Sequence, residues 1–165
     1  MPDLPIILPF PLIDIAAEEE QFRFLCTEIQ PEFRTPEQTE PSDFDCGFAV
    51  EYAGRGLSAQ FGCDISAGNV YAFFQSLETA YQLLDPEKPA QLANYGSLDR
   101  TALRIQFDRH GGCLLTGHFL NAENHYHSGI QISIPLDQSY ICEILRSPRH
   151  FFRILTDAQG HANFY

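Results

Sequence analysis

The chain has no tryptophan and one methionine, and its 10 basic residues are outnumbered by 22 acidic ones. The resulting formal net charge of −12 repels nucleic acid and anionic membranes, so neither is expected as a partner. No apolar run approaches the roughly 20 residues that a membrane-crossing helix needs. The N-terminal run MPDLPIILPFPLIDI is apolar, but it has no basic leading region, and Pro5, Pro9 and Pro11 interrupt it. It does not read as a signal peptide, and a soluble, cytoplasmic protein is the expectation.

Signatures of chemistry are missing as well. There is no GXSXG elbow, no Walker loop, no GXGXXG after a strand and no HEXXH helix. The five cysteines (26, 46, 63, 113 and 142) are odd in number and scattered without close pairing. Cys46, Cys63 and Cys113 stand in or beside strand-like apolar positions, where free thiols act as small buried hydrophobes.

What the chain does have is enough bulk to fold. Its 165 residues suit one domain, and 14 Phe and 7 Tyr supply core volume in a sequence that is 44% apolar. Its negative charge is uneven. Residues 1–52 hold twelve acids against Arg23 and Arg34, a net −10, while the remaining 113 residues hold ten acids and eight bases, a net −2. A field of this kind attracts a basic partner and speeds its encounter; solubility alone is the plainer explanation of the same charge.

Residues 1–15 read as extended, because proline removes donors and suits edges. FRFLCTEI (22–29) reads as a strand and PEFRTPEQTEPSD (31–43) as an acidic surface loop. Phe44, Cys46, Phe48, Val50 and Tyr52 alternate with small or polar residues, as do Leu57, Ala59, Phe61, Cys63 and Ile65. With Gly54-Arg55-Gly56 between them, these runs predict an antiparallel hairpin with one buried face. The period then changes to helical: Ser66 is a suitable cap, and Val70, Phe73, Phe74, Leu77, Tyr81 and Leu84 form the stripe that ends at Asp85-Pro86. Those rings are expected to pack on a sheet rather than to hold a cofactor.

Further strands are expected around Leu103–Phe107, 113–120 and Ile130–Ile134, with Pro135 ending the last. Asp137 or Ser139 then caps a second helix carrying Ile141, Ile144 and Leu145, and Ser147-Pro148 begins a separate short helix over 148–155. The expected fold is α+β: an antiparallel sheet of about five to seven strands, with two main helices packed on one face. Its other face would present Arg104, Gln106, Asp108, Thr116, His118, Gln131 and Ser133. The expected organisation is an extended acidic segment (1–43) in the same domain, an α+β core (44–155) and a loose tail (156–165).

Among candidate sites, His118, His125 and His127 fall within ten residues and are the weak candidates for a metal. No cysteine or carboxylate stands beside them at a familiar ligand spacing, and neither metal nor cofactor is expected. Cys113 and His118, five apart on a strand, point to opposite faces and do not make a nucleophile–base pair. Gly54-Arg55-Gly56 and Gly111-Gly112 are turns. No catalytic residue is assigned.

Residues 44–155 resemble the WapI-type immunity proteins, antitoxins encoded beside bacterial polymorphic toxins. The resemblance is carried by ordered pieces: FGCDI ending a strand pair, the helix VYAFFQSLETAYQLL, a short strand near QLANYG, LRIQFDRHGGCLLTGHFL and GIQISIPLDQSYICEILR. Asp108-Arg109-His110-Gly111-Gly112 stands where that family has a charged turn with glycine. Asp137-Gln138-Ser139-Tyr140 matches its helix entry, with Asp137 capping and Tyr140 packing. The family's early tryptophan is absent, with Phe44 and Phe48 nearby, and no binding residue is carried over.

The resemblance implies a non-catalytic protein that binds and neutralises a cognate toxin, often a nuclease. Charge agrees independently, since nuclease domains tend to be basic in order to approach phosphates. The expected contact set is Glu37, Glu40, Asp43, Asp45 and Glu51, with Tyr52 and Phe33 as aromatic anchors. The alternatives are a small-molecule or metal-binding module around the three histidines, and an enzyme of uncharacterised activity.

Overall fold

The computed structural model describes residues 5–30, 35–93, 101–125 and 127–157. The described chain runs as four strands and a helix, then four strands and a helix. The first unit comprises β1 (Phe10–Ala17), β2 (Glu20–Gln30), β3 (Asp45–Gly54), β4 (Leu57–Cys63) and α1 (Ala67–Leu83). The second comprises β5 (Ala90–Ala93), β6 (Thr101–Phe107), β7 (Gly112–Leu120), β8 (Gly129–Asp137) and α2 (Gln138–Leu155). Each set of four strands is a separate antiparallel sheet with neighbours in chain order.

The α+β class and the antiparallel pairing agree with expectation, whereas the single sheet of five to seven strands does not. Eight strands divide into two sheets because α1 and the 84–89 turn separate the two meanders, so β4 never pairs with β5. The residues from both sheets nonetheless form one core. Phe119 of β7 is fully buried against Phe22 and Phe24 of β2, with ring centroids 5.7 and 6.1 Å apart. The helices therefore do not lie on one face of one sheet: α1 packs on β5, α2 on β1, and the two touch each other. No described helix is long and apolar enough to cross a membrane.

Sequence boundary 43/44 coincides with no break in the structure. β2 pairs with β3 from Gln21↔Ala53 to Gln30↔Asp45, and Ile6, Leu12, Ile15, Phe22 and Phe24 are wholly or almost wholly buried. Bulges after Pro11 and after Cys26 shift the alternation within β1 and β2. Of the tail, only Thr156 and Asp157 are described; the Thr156 hydroxyl and N–H both donate to the Phe152 carbonyl.

Two proline readings need correction. Pro135 does not end its strand: β8 continues to Asp137, with Pro135 opposite Leu114. This is possible because β8 is an edge strand, where a missing N–H removes no ladder bond. Nor does Pro148 open a new helix, since α2 is continuous from Gln138 to Leu155. Ile144, Leu145, Pro148, Phe151 and Phe152 are all buried, and burial of that face outweighs the hydrogen bond lost at the proline. Both expected caps form: Ser66 Oγ accepts from the Asn69 N–H at 3.2 Å, and Asp137 accepts from the Ser139 N–H at 2.7 Å.

Candidate partner-binding surface

The outer face of the first sheet is built by strand alternation and by one bulge. In β3, Cys46, Phe48, Val50 and Tyr52 turn inward, so Asp45, Gly47, Ala49 and Glu51 turn outward. Simple alternation from Phe22 along β2 would send Glu28 inward with Phe24 and Cys26. The bulge between Cys26 and Glu28 reverses it, so Glu28 lies exposed opposite Gly47 and Ile29 is buried. The Gly47 site is tight on that side: a Cβ there would stand 3.1 Å from Thr27 Oγ1.

One polar row crosses all four strands, Asp14↔Arg23↔Glu51↔Gln60. Arg23 donates to Glu51 at 2.9 Å and its Nε lies 3.6 Å from Asp14, while Gln60 donates to the other Glu51 oxygen at 3.0 Å. The face thus holds Asp14, Glu28, Asp45 and Glu51 against Arg23, among small residues (Ala16, Gly47, Ala49, Ala53, Ser58). Asp64, exposed, follows one residue past β4.

The expected contact residues do not form one patch. Asp43 is engaged within its own loop, accepting from the Glu40 and Thr39 N–H groups at 2.8 Å each, and these bonds hold its carboxyl below its usual range. Glu40 is exposed and precedes the short 3-10 turn Pro41–Asp43; Glu37 is exposed, its carboxyl drawn down by its own N–H and by Thr35. Asp45 begins β3, and Glu51 lies six residues on, about 20 Å along the strand. Tyr52 is no surface anchor: it is 7% exposed and donates to Glu20 Oε1 at 2.6 Å. That bond, with burial, raises the phenol pKa. Phe33 lies outside the described residues. Asp14 and Glu28 join Asp45 and Glu51 on this outer face through register, which the two bulges set.

The second sheet's outer face is different. Its row Gln91↔Arg104↔Thr116↔Ser133 crosses four strands, and His118 stands opposite Gln131. Thr116, His118, Gln131 and Ser133 line an open cleft of about 650 Å³ with Arg104, and the hairpin ends at Glu20, Arg55 and Leu57 form its opposite side. Arg55 Nε pairs with Glu20 at 3.3 Å. Asp108, expected on this face, instead lies past β6 and accepts from the His110 and Gly112 N–H groups at 2.7 and 3.0 Å.

The structure does not bring the three histidines together. His118 faces the cleft, whereas His125 and His127 are exposed in the loop before β8. Among the described residues no group of three His, Cys, Asp or Glu side chains could hold a metal ion. Cys26, Cys46, Cys63 and Cys113 are buried free thiols. Burial pushes Cys63 up to about 12 and Cys113 up to about 11; the neighbouring Cys46 thiol and then burial push Cys26 up further. These upward shifts keep Cys26, Cys63 and Cys113 from being thiolates at neutral pH.

Comparison with known proteins adds a single likeness. No family model matches the chain, and no curated protein matches it. Among solved structures, the crystal structure of WHY1 from Arabidopsis thaliana is similar at 13% identity and a TM-score of 0.46, over 90% of this chain and 92% of that one.

Proposed function

We propose that the chain is a non-catalytic, immunity-type protein that binds and neutralises a basic bacterial toxin, with the outer face of the first sheet as its contact surface. The observation that carries this reading is the set of carboxylates on that face, Asp14, Glu28, Asp45 and Glu51, opposed by Arg23 alone. Small side chains between the carboxylates let a partner's lysines and arginines approach them closely. Charge steers the encounter and sets register, while the surplus of carboxylates over Arg23 rejects acidic proteins. The loop acids Glu37 and Glu40 extend the same field.

Co-expression with the toxin-like product of a neighbouring gene tests it, followed by affinity measured across salt concentration. Cell survival, with binding that weakens as salt rises, is the expected result. The double variant Glu28→Lys with Asp45→Lys should weaken the complex roughly 10-fold or more at low salt without unfolding the protein. Survival with salt-insensitive binding would move the contact elsewhere, and no complex with a toxic partner would end the immunity reading for that pair.

A further inference from the structure

The two sheets together show what an arginine in a cross-strand row takes as its partner. Arg23 stands between Asp14 and Glu51 and pairs with both. Arg104 occupies the matching kind of position in the second sheet, but its cross-strand neighbours are Gln91 and Thr116, neither of which bears charge. No carboxylate occurs in β5, β6 or β7, and the one in β8, Asp137, caps α2. Among the described residues no carboxylate pairs with Arg104; its Nε is buried without a hydrogen bond, as is the Nε of Arg23.

A guanidinium that faces an open cleft with no fixed counter-charge beside it is a ready partner for a carboxylate. We infer that the cleft over Arg104 binds a small organic monocarboxylate, which takes the place that Asp14 and Glu51 hold beside Arg23. The Thr116 and Ser133 hydroxyls lie in the same row and can donate to the carboxylate oxygens, while the exposed Leu57 and the flank of Ile132 offer apolar contact to the rest of the ligand. Arg55 is already paired to Glu20, whose own charge stands at the rim of the cleft. That leaves one uncompensated positive charge and favours a monoanion over a phosphate dianion. A volume of about 650 Å³ suits a small molecule. The inference is independent of the toxin reading, because the cleft shares none of the carboxylates proposed as the toxin contact.

The test is a titration of the full chain with acetate, butyrate and benzoate, followed through the Arg104 Nε and Cζ nuclear magnetic resonances. The Arg104 signals should shift and saturate while those of Arg23 stay in place, with benzoate or butyrate binding more tightly than acetate. Arg104→Gln should weaken binding about 10- to 100-fold, and Ser133→Ala should weaken it by a smaller factor. Inorganic phosphate should compete poorly. Equal shifts at Arg23 and Arg104, no saturation with any of the three acids, or phosphate binding as tightly as benzoate would overturn the assignment. Because the wild-type resonances are read directly, a variant that fails to fold does not blunt the test.

Discussion

Arg23 and Arg104 each sit at the middle of a polar row that crosses a four-stranded sheet, yet one row sets two carboxylates beside its arginine and the other sets none. The strands of the first sheet carry Asp14, Glu20, Glu28, Asp45 and Glu51; those of the second carry Asp137 at the very end of β8. Two halves with the same order of elements therefore present opposite surfaces to solvent, one acidic and self-paired, the other neutral with an open cation. The uneven charge along the sequence is thus a difference between two faces in space.

The comparison is of surfaces only if the two sheets share one interior, and Phe119→Ala tests that most severely. The ring is fully buried and contacts Phe22 and Phe24 across the sheet boundary. Its truncation should cost about 3–5 kcal/mol. Chemical denaturation followed separately by signals from each sheet should still show one coincident transition, at lower denaturant. Two separate transitions would mean that the sheets are independent units. Gly117→Ala should act through the same joint with a smaller effect, about 1–3 kcal/mol, because a Cβ there would stand 2.7 Å from the Phe119 ring and 2.9 Å from Ile132.

The two arginines supply the sharpest contrast. Glu51→Gln weakens the counter-charge of Arg23, leaving Asp14 at 3.6 Å, and the pair is only partly exposed, so a loss of about 1 kcal/mol is expected. Arg104→Gln removes a guanidinium that has no carboxylate beside it among the described residues, and stability should stay level or rise by up to about 1 kcal/mol. A loss at Arg104 as large as that at Glu51 would show that the guanidinium already has what it needs, and would take away the motive for a ligand.

Much of this fold could be read before it was seen, and the failures share a cause. The β3–β4 hairpin, α1 with its Ser66 cap and the strand around Leu103–Phe107 follow from local period, since side chains on one face must share an environment. Division into two sheets depends on whether β4 meets β5, a pairing between distant segments that no local pattern encodes. Pro135 and Pro148 misled for a related reason: whether a proline ends an element depends on the neighbour its N–H would have met. Glu28 and Asp14 reach the acidic face through bulges at Cys26 and Pro11, which look like ordinary alternation in the sequence. Tyr52 fell in a correct strand on its inward side, so an aromatic beside acids was read as an anchor when it is core.

The smallest expected effect comes from the carboxylates that hold local turns, one in each half. Asp43 is held below its usual range by the Glu40 and then the Thr39 N–H, and Asp137 by the Ser139 hydroxyl and then its N–H. A depressed folded pKa contributes stability that is present above the unfolded value of 3.8 and is lost as pH falls through the folded value. Stability measured by denaturant should therefore decline between about pH 5 and about pH 3, and Asp43→Asn and Asp137→Asn should each flatten that decline. Asp137 opens a helix whose buried face includes Ile141, Ile144 and Leu145, whereas Asp43 closes a three-residue turn in an exposed loop. The flattening should accordingly be larger for Asp137→Asn, because fraying of α2 uncovers core while fraying of the loop does not. Equal flattening by the two variants would show instead that fraying at the start of α2 uncovers no more core than fraying of the exposed turn.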